Sequence, residues 1–177
     1  MTVSEKKVTL VLSDGSEITV AENIICVSKT INDQISECRQ NALIMQNDQD
    51  YKVPISNPKC NQQNLKWIIE WATYYVDHKN EFVTSDEDKF RSEIVNEFDK
   101  QFIAKIPIVG HSDDNNNIFS LIVATNYLDI PLLLCLCCKT VANCIKQYTP
   151  DEIKERFRIP SLNNTVTSPA AAASAGR

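Results

Sequence analysis

The segment 132–146 carries apolar residues on nearly every side of a predicted helix, and this constrains the fold more than any other feature of the chain. It begins with LLLCLCC. At about 100° per residue, one stripe that we expect to face the domain core comprises Leu134, Cys138, Val141 and Ile145. Leu132 and Leu136 are expected on the opposite side. Such a helix is either covered by the chain's own terminal helix or lies between its core and a partner, and in a chain of 177 residues a partner surface is the more economical explanation.

Three of the seven cysteines lie at the start of this helix, so a metal or redox centre is the main chemical alternative. On a helix, Cys135 and Cys138 lie about 60° apart around the axis, and Cys137 and Cys144 about 20° apart. These four thiols cannot converge on one tetrahedral ion, and no histidine lies near them in the sequence. Of the neighbouring residues, Lys139 alone could lower a thiol pKa. We therefore expect no metal site and no cofactor, and a cysteine-based metal or redox protein stays an open alternative.

Composition and charge argue against several classes of function. A net charge of −5 and a pI near 5.1 disfavour a nucleic-acid-binding protein and binding to an anionic membrane. No apolar run reaches the ~18 residues that span a bilayer, and the N-terminus has no signal-peptide core, so we expect a protein of the cytoplasm and nucleus with reduced thiols. Only three glycines occur, and His78 and His111 lie in polar segments. We therefore expect neither a phosphate-binding loop nor catalytic residues, and no enzyme.

The first half of the chain predicts a small sheet with packed helices. Residues 8–20 alternate between apolar and polar side chains around Asp14-Gly15, a pattern typical of a β-hairpin. An amphipathic helix is expected over 29–43, and residues 51–55 predict a short strand that Pro54 restricts to an edge or terminal position. N-caps are expected at Ser28 and Asn61.

The second half predicts further helices and two polar segments. The acidic stretch 77–93 is interpreted as a solvated loop, and 118–128 as a helix central to the core. A short helix that contains Phe98 lies between them. Thr149-Pro150-Asp151-Glu152 predicts a helix start with a capping box, in which Thr149 is the N-cap. Residues 161–177 contain a run of alanines and no aromatic residue, and we expect a disordered tail.

Three stretches carry a resemblance to a known family: NYLDI at 126–130, CKTVAN at 138–143 and TPDEI at 149–153. With them, the chain resembles the S-phase kinase-associated (SKP) adaptors of cullin–RING ubiquitin ligases over about residues 8–160. The resemblance implies an α+β fold, with a BTB/POZ-type domain over 1–130 built on a small three-stranded sheet. It also implies a helical, F-box-binding SKP-type dimerisation segment over 131–160, followed by the tail.

The function implied by the resemblance is that of a non-catalytic adaptor in an SCF-type E3 ubiquitin ligase. Such an adaptor bridges the N-terminal domain of a cullin to F-box substrate receptors. By resemblance, the cullin surface includes Ile122, Asn126 and Tyr127. The F-box surface would then draw on Leu133, Leu136, Thr140, Cys144, Pro150, Ile153, Phe157 and Ile159.

The chain also departs from the family pattern. Cys135, Cys137 and Cys144 stand where relatives usually carry Asp, Thr and Met, so we expect a more apolar partner surface. The segment 161–177 stands in place of the family's acidic C-terminal helices, which could reduce affinity for an F-box. Two alternatives stay open within the binding class. One is an elongin-C-like cullin adaptor, and the other is a homodimer that self-associates through its POZ face.

Overall fold

Three short strands, β1 (Lys7–Val11), β2 (Glu17–Ala21) and β3 (Lys52–Pro54), form one mixed sheet in the order β2–β1–β3. The computed structural model describes residues 6–45, 52–78, 96–108 and 115–159. The strands β1 and β2 are antiparallel, and β3 runs parallel to β1 at the edge of the sheet. Gly15 has a φ of 81° and provides the left-handed residue of the turn between β1 and β2. The predicted hairpin and the edge strand are confirmed.

Seven helices complete the described part of the chain, and one of them, at Glu22–Ile25, was not predicted from the sequence. The expected helices over 29–43, 118–128 and 132–146 are all present. In chain order the helices are α1 (Glu22–Ile25), α2 (Lys29–Met45), α3 (Gln62–Asp77), α4 (Glu97–Ala104), α5 (Ile118–Tyr127), α6 (Pro131–Ile145) and α7 (Pro150–Arg156).

Short polar side chains fix where the helices begin. The Ser28 hydroxyl accepts a hydrogen bond from the Ile31 amide at 3.2 Å, and the Asn61 carboxamide oxygen accepts one from the Asn64 amide at 2.9 Å. Thr149 forms the expected capping box, because its amide also donates to a Glu152 carboxylate oxygen at 2.7 Å. All three predicted N-caps are confirmed. The structure adds two more, which are Asn96 and Asn117.

One hydrophobic core joins the sheet to helices α1 to α6. The inner face of the sheet contributes alternate residues such as Val8 and Leu10, as period-two alternation requires. Helix α3 adds Leu65 and Ile68, and α5 adds Leu121. The same core extends into α6 through Leu133, Leu136 and Cys137. The start of α6 is therefore continuous with the core that holds the sheet.

Two hydroxyl groups tie the end of α5 to the start of α2. Ser28 is fully buried, and its hydroxyl donates to the Leu128 carbonyl oxygen at 2.5 Å. The Thr30 hydroxyl donates to the Tyr127 carbonyl oxygen at 3.0 Å. The last carbonyl groups of a helix have no amide donor within the helix, and these two hydrogen bonds supply donors to two of them. They fix the turn through Asp129, whose φ is 50°, and hence the direction in which α6 leaves.

Two expectations fall outside this structure. The acidic segment 77–93 begins in the last residues of α3, and from residue 79 onward it lies outside the described residues, as does the segment 161–177. In the described ranges, no helix is both long enough and apolar enough to cross a membrane.

Candidate binding surfaces on the C-terminal helices

Helix α6 has the two apolar sides that its sequence predicts, but their roles are reversed. The residues that face the core are Leu133, Leu136, Cys137 and Thr140. Cys138 is exposed, and Ile145 is 36% exposed, so the expectation that they line the core is wrong. Leu134 and Val141 lie on the outward side and are half-buried. Both sides of α6 are apolar and lie roughly 120° apart, so periodicity could not decide which one turns inward.

The outward side of α6 forms an apolar strip along the helix, which we call the α6 face. It consists of Leu134, Cys135, Cys138, Val141 and Ile145. Residues at these spacings lie on one side of a helix over almost three turns. The strip contains no charged side chain, and the lysines of this helix, Lys139 and Lys146, lie to one side of it. The arrangement suits the binding of another apolar helix or segment rather than of a charged ligand.

The cysteine thiols differ greatly in burial, and with it in reactivity. Burial raises the pKa of Cys60 to about 12, and it raises the pKa of the fully buried Cys137 further still. Both thiols are therefore protonated and inert at neutral pH. Cys137 was expected on the partner-facing surface, and that expectation is wrong because its side chain lies in the core. Within the described ranges, no three side chains of the metal-binding types come together.

Helix α7 is held on α5 by a single buried aromatic side chain. Phe157, directly after the helix, is 5% exposed, and its ring meets the ring of Phe119 edge-on at 5.5 Å between centroids. No residue within α7 itself is buried. Ile153 is half-buried, and Ile159 is 47% exposed. Helix α7 therefore lies on the surface of the domain and presents part of its apolar side to solvent.

The eight residues proposed by resemblance for F-box binding divide into two groups. Four are buried among the chain's own side chains, namely Leu133, Leu136, Thr140 and Phe157. The other four are half-buried or exposed, namely Cys144, Pro150, Ile153 and Ile159. In this conformation only the second group offers surface to a partner, and contact with an F-box stays a prediction for all eight. Sequence reasoning did not select Cys138, Val141 and Ile145, since it had placed them inside.

The outward side of α5 forms a second surface, the α5 face, made of Ile122, Val123, Asn126 and Tyr127. Asn126 is exposed, and Val123 is 37% exposed. Ile122 and Tyr127 are half-buried and pack against the core with part of their side chains. The three residues that the resemblance assigns to cullin binding thus lie together on one side of one helix. Val123 belongs to the same patch, although it was not among the residues selected from the sequence.

A partly buried carboxyl group connects α4 to α3 and α6. The Trp71 indole nitrogen donates to Asp99 Oδ1 at 3.2 Å, and the positive charge of Lys139 attracts the same carboxylate. Burial nevertheless raises the pKa of Asp99, and the Trp71 hydrogen bond and Lys139 only partly oppose that rise. Asp99 therefore helps to hold α3 and α4 beside α6, although burial destabilises its ionised form. Burial accounts for the raised pKa, so the shift does not indicate a catalytic role.

A groove between α1, α3 and the start of α6 has a volume of about 350 Å³. It brings together no nucleophile with a base and no cluster of carboxylates. Its walls are mostly apolar and aromatic and comprise Asn23, Cys26, Val27, Trp71, Tyr75, Val76, Ile130, Pro131 and Leu132.

Fold and surfaces together define a binding module, an α+β domain whose last helices carry apolar faces. The comparisons with known proteins make this assignment specific. The model of the Skp1 family, dimerisation domain, matches residues 131–161. A Talaromyces marneffei protein described as E3 ubiquitin ligase complex SCF subunit sconC is 31% identical over 153 residues, which cover 86% of this chain and 84% of that protein. The protein with the same description from Neosartorya fischeri is 33% identical over 152 residues, with 86% and 85% covered.

A yeast relative extends the match. The suppressor of kinetochore protein 1 of Schizosaccharomyces pombe is 29% identical over 160 residues, which cover 88% of this chain and 86% of that protein. The chain belongs to the Skp1 family. The expected fold, a BTB/POZ-like α+β domain with a helical extension, is confirmed, and so is the family predicted from the NYLDI, CKTVAN and TPDEI motifs.

Proposed function

We propose that this chain is a non-catalytic adaptor subunit of an SCF-type cullin–RING E3 ubiquitin ligase, which bridges a cullin to F-box substrate receptors. One observation carries the proposal. The exposed large apolar side chains of the described residues, Val123, Ile145 and Ile159, all lie on or directly after the last three helices. Exposed apolar surface concentrated in this way marks a site of protein association. The descriptions of the fungal relatives as SCF subunits support the same role.

The α6 face, extended by α7, is the proposed F-box surface. It is uncharged and long enough to receive a helix laid against α6, with Cys138 and Ile145 exposed along it. The surface of α7 adds Ile153 and Ile159, and both come from the stretch in which the family resemblance is strongest. An F-box helix with apolar anchors at helical spacing fits this surface, because desolvated apolar anchors carry most of the binding energy of such interfaces.

The α5 face is the proposed cullin surface. Asn126 offers an exposed amide at the centre of the patch, and Val123 lies one turn before it. The hydrogen bond from Thr30 to the Tyr127 carbonyl oxygen holds the end of this helix in place. A patch of this kind combines apolar contact with directed hydrogen bonding, as stable interfaces do.

Two matched double variants test the proposal, and each serves as the control for the other. Val123→Lys with Asn126→Lys alters the α5 face, and Cys138→Lys with Ile145→Lys alters the α6 face. All four positions are exposed, so the fold should tolerate lysine at each of them. A lysine forced into a packed interface costs at least about 2 kcal/mol, which weakens binding about thirtyfold.

Binding is measured by calorimetry with a recombinant cullin N-terminal domain and, separately, with a recombinant F-box domain. The α5 variant should lose cullin binding and keep F-box binding, and the α6 variant should show the opposite. Circular dichroism melts confirm that both variants are folded. If either double variant weakens both partners equally while folded, the assignment of two separate surfaces fails.

A further inference from the structure

Two cysteines of the α6 face, Cys135 and Cys138, lie one helical turn apart. The proposed adaptor function does not require cysteine at either position. Cys135 and Cys138 belong to the sequence Cys-Leu-Cys-Cys, in which the first and last cysteines have the C-x-x-C spacing common to redox-active thiol pairs. On α6 they are three residues apart, which places their Cα atoms about 5 Å apart by helix geometry. Disulfides form between Cα atoms about 4.4–6.8 Å apart. The Cα separation of the two cysteines therefore falls within the range that a disulfide spans.

The cysteines of the chain differ in exposure. Cys138 is exposed, Cys135 is half-buried like Cys26, Cys38 and Cys144, and Cys60 and Cys137 are buried. Partial burial raises the pKa of Cys138, and the charge of a Cys135 thiolate on the same helix raises it further. Cys144, on the same helix, is half-buried and six residues from Cys138, which puts it about 120° away around the axis. Only the first pair combines exposure with proximity.

We propose that Cys135 and Cys138 form a redox-active dithiol, which closes to an intrahelical disulfide and thereby weakens the binding of a partner at the α6 face. The regulatory half of this inference rests on the proposed function, and the disulfide itself does not. The oxidant is a low-molecular-weight disulfide, of which oxidised glutathione is the probe.

The chemistry proceeds by two exchanges. The exposed Cys138 reacts through the small thiolate fraction that its raised pKa leaves at neutral pH. This thiolate attacks one sulfur of oxidised glutathione, so that a mixed disulfide forms and one glutathione thiolate leaves. The Cys135 thiolate then attacks the Cys138 sulfur, the mixed bond breaks, and the second glutathione leaves. The two protons given up by the cysteines end on the two glutathione thiols. The protein loses two electrons, and the glutathione disulfide gains them.

Closure of the disulfide would change the surface that a partner meets. Cys138 lies at the middle of the α6 face, between Leu134 and Val141, and the bond would draw its sulfur sideways toward Cys135. Interfaces are packed as densely as protein interiors, so a displaced sulfur leaves gaps and forces overlaps with the partner. Because the disulfide weakens partner binding, linkage requires that a bound partner disfavours oxidation of the pair by the same factor.

The disulfide is tested on the full chain equilibrated in buffers of reduced and oxidised glutathione, with alkylation of the remaining thiols and peptide mass spectrometry. The peptide that contains the pair should lose the mass of two hydrogen atoms. Cys135→Ser should stop at a mixed disulfide between glutathione and Cys138, and Cys138→Ser should form no internal disulfide. Cys144→Ser is the matched control and should behave as the wild type. Absence of the internal disulfide in the wild type, or its persistence in either serine variant of the pair, overturns the assignment.

The consequence is tested by calorimetry with a recombinant F-box domain. The oxidised wild type should bind at least fivefold more weakly than the reduced wild type, and Cys138→Ser should bind equally in both buffers. Equal binding by the two wild-type forms overturns the regulatory half. Failure of the reduced wild type to bind at all contradicts the proposed function instead, and the peptide masses still decide whether the dithiol forms.

Discussion

Replacing Phe157 by alanine should release α7 from the domain while the rest of the fold persists. Within residues 149–159, Phe157 is the only buried side chain, and the helix that it anchors has seven residues. Helices shorter than about 12 residues are marginal in water without tertiary contacts. The stability of α7 therefore depends on the contact between Phe157 and Phe119.

The size of the effect follows from the burial of the ring. A buried phenylalanine side chain removes about 150 Å² from water, which is worth about 4 kcal/mol at 25 cal/mol/Å². Truncation of buried phenylalanines to alanine costs about 3–5 kcal/mol. We take about 3 kcal/mol, because a site at the surface can partly collapse, and this corresponds to about a hundredfold rise in the open population of α7.

Hydrogen exchange read by mass spectrometry measures this opening directly. The amides of Ile153 and Phe157 donate to carbonyl oxygens within the helix at 3.0 Å, and they should lose about two decades of protection. Peptides from α5 should keep theirs. Ile159→Ala, at a position that is 47% exposed, is the matched control and should change protection little. Unchanged protection of α7, or an equal loss throughout the chain, would refute the view that one ring anchors this helix.

Three further substitutions test the fold. Ser28→Ala should cost about 2–3 kcal/mol of unfolding free energy, since it removes an N-cap and leaves the buried Leu128 carbonyl oxygen without its hydroxyl donor. Gly15→Ala should cost about 1–2 kcal/mol from its positive φ alone, because an added Cβ meets no atom within 4 Å. Asp99→Asn should reduce the loss of stability as pH rises, because a raised carboxyl pKa makes ionisation costly.

Urea unfolding of wild type and variant measures the unfolding free energy in each case. Ser28→Ala with a cost below about 0.5 kcal/mol would mean that the bond to Leu128 contributes little. A neutral Gly15→Ala would show that the turn adapts to alanine. For Asp99, the wild-type contribution is fully present below the ordinary carboxyl pKa and is lost as pH rises through the raised one. Identical pH dependence in wild type and Asp99→Asn between about pH 4 and 7 would contradict that assignment.

Local physics made much of the fold predictable. A turn that contains Asp14-Gly15, alternating strands and side-chain caps are decided within a few residues, and the hairpin and the caps at Ser28, Asn61 and Thr149 followed from them. The hydrogen bond from Ser28 to the Leu128 carbonyl oxygen joins residues 100 positions apart, so no local sequence pattern could predict it. Family resemblance supplied the topology that such distant contacts stabilise.

The side of α6 that faces the core could not be predicted from the sequence, for a different reason. Its polar residues, Lys139 and Asn143, lie between the two apolar sides, as does Lys146 directly after the helix, so they do not mark either apolar side as the one that faces water. The choice is made by its neighbours. Leu133 and Cys137 fit against the core that the sheet and α5 form, and Cys138 is left outside. The same property makes the orientation of α6 ambiguous and supports the proposed function. A helix with two apolar sides can pack one side against the core and bind a partner with the other.

The central claim is that one chain binds two partners at once, and size-exclusion chromatography with light scattering tests it most directly. A cullin N-terminal domain and an F-box domain are mixed with and without this chain. We expect one complex with a single copy of each of the three proteins, and no association of the two partners when the chain is left out. Two separate binary complexes that never combine, or association of the partners without the chain, would contradict it.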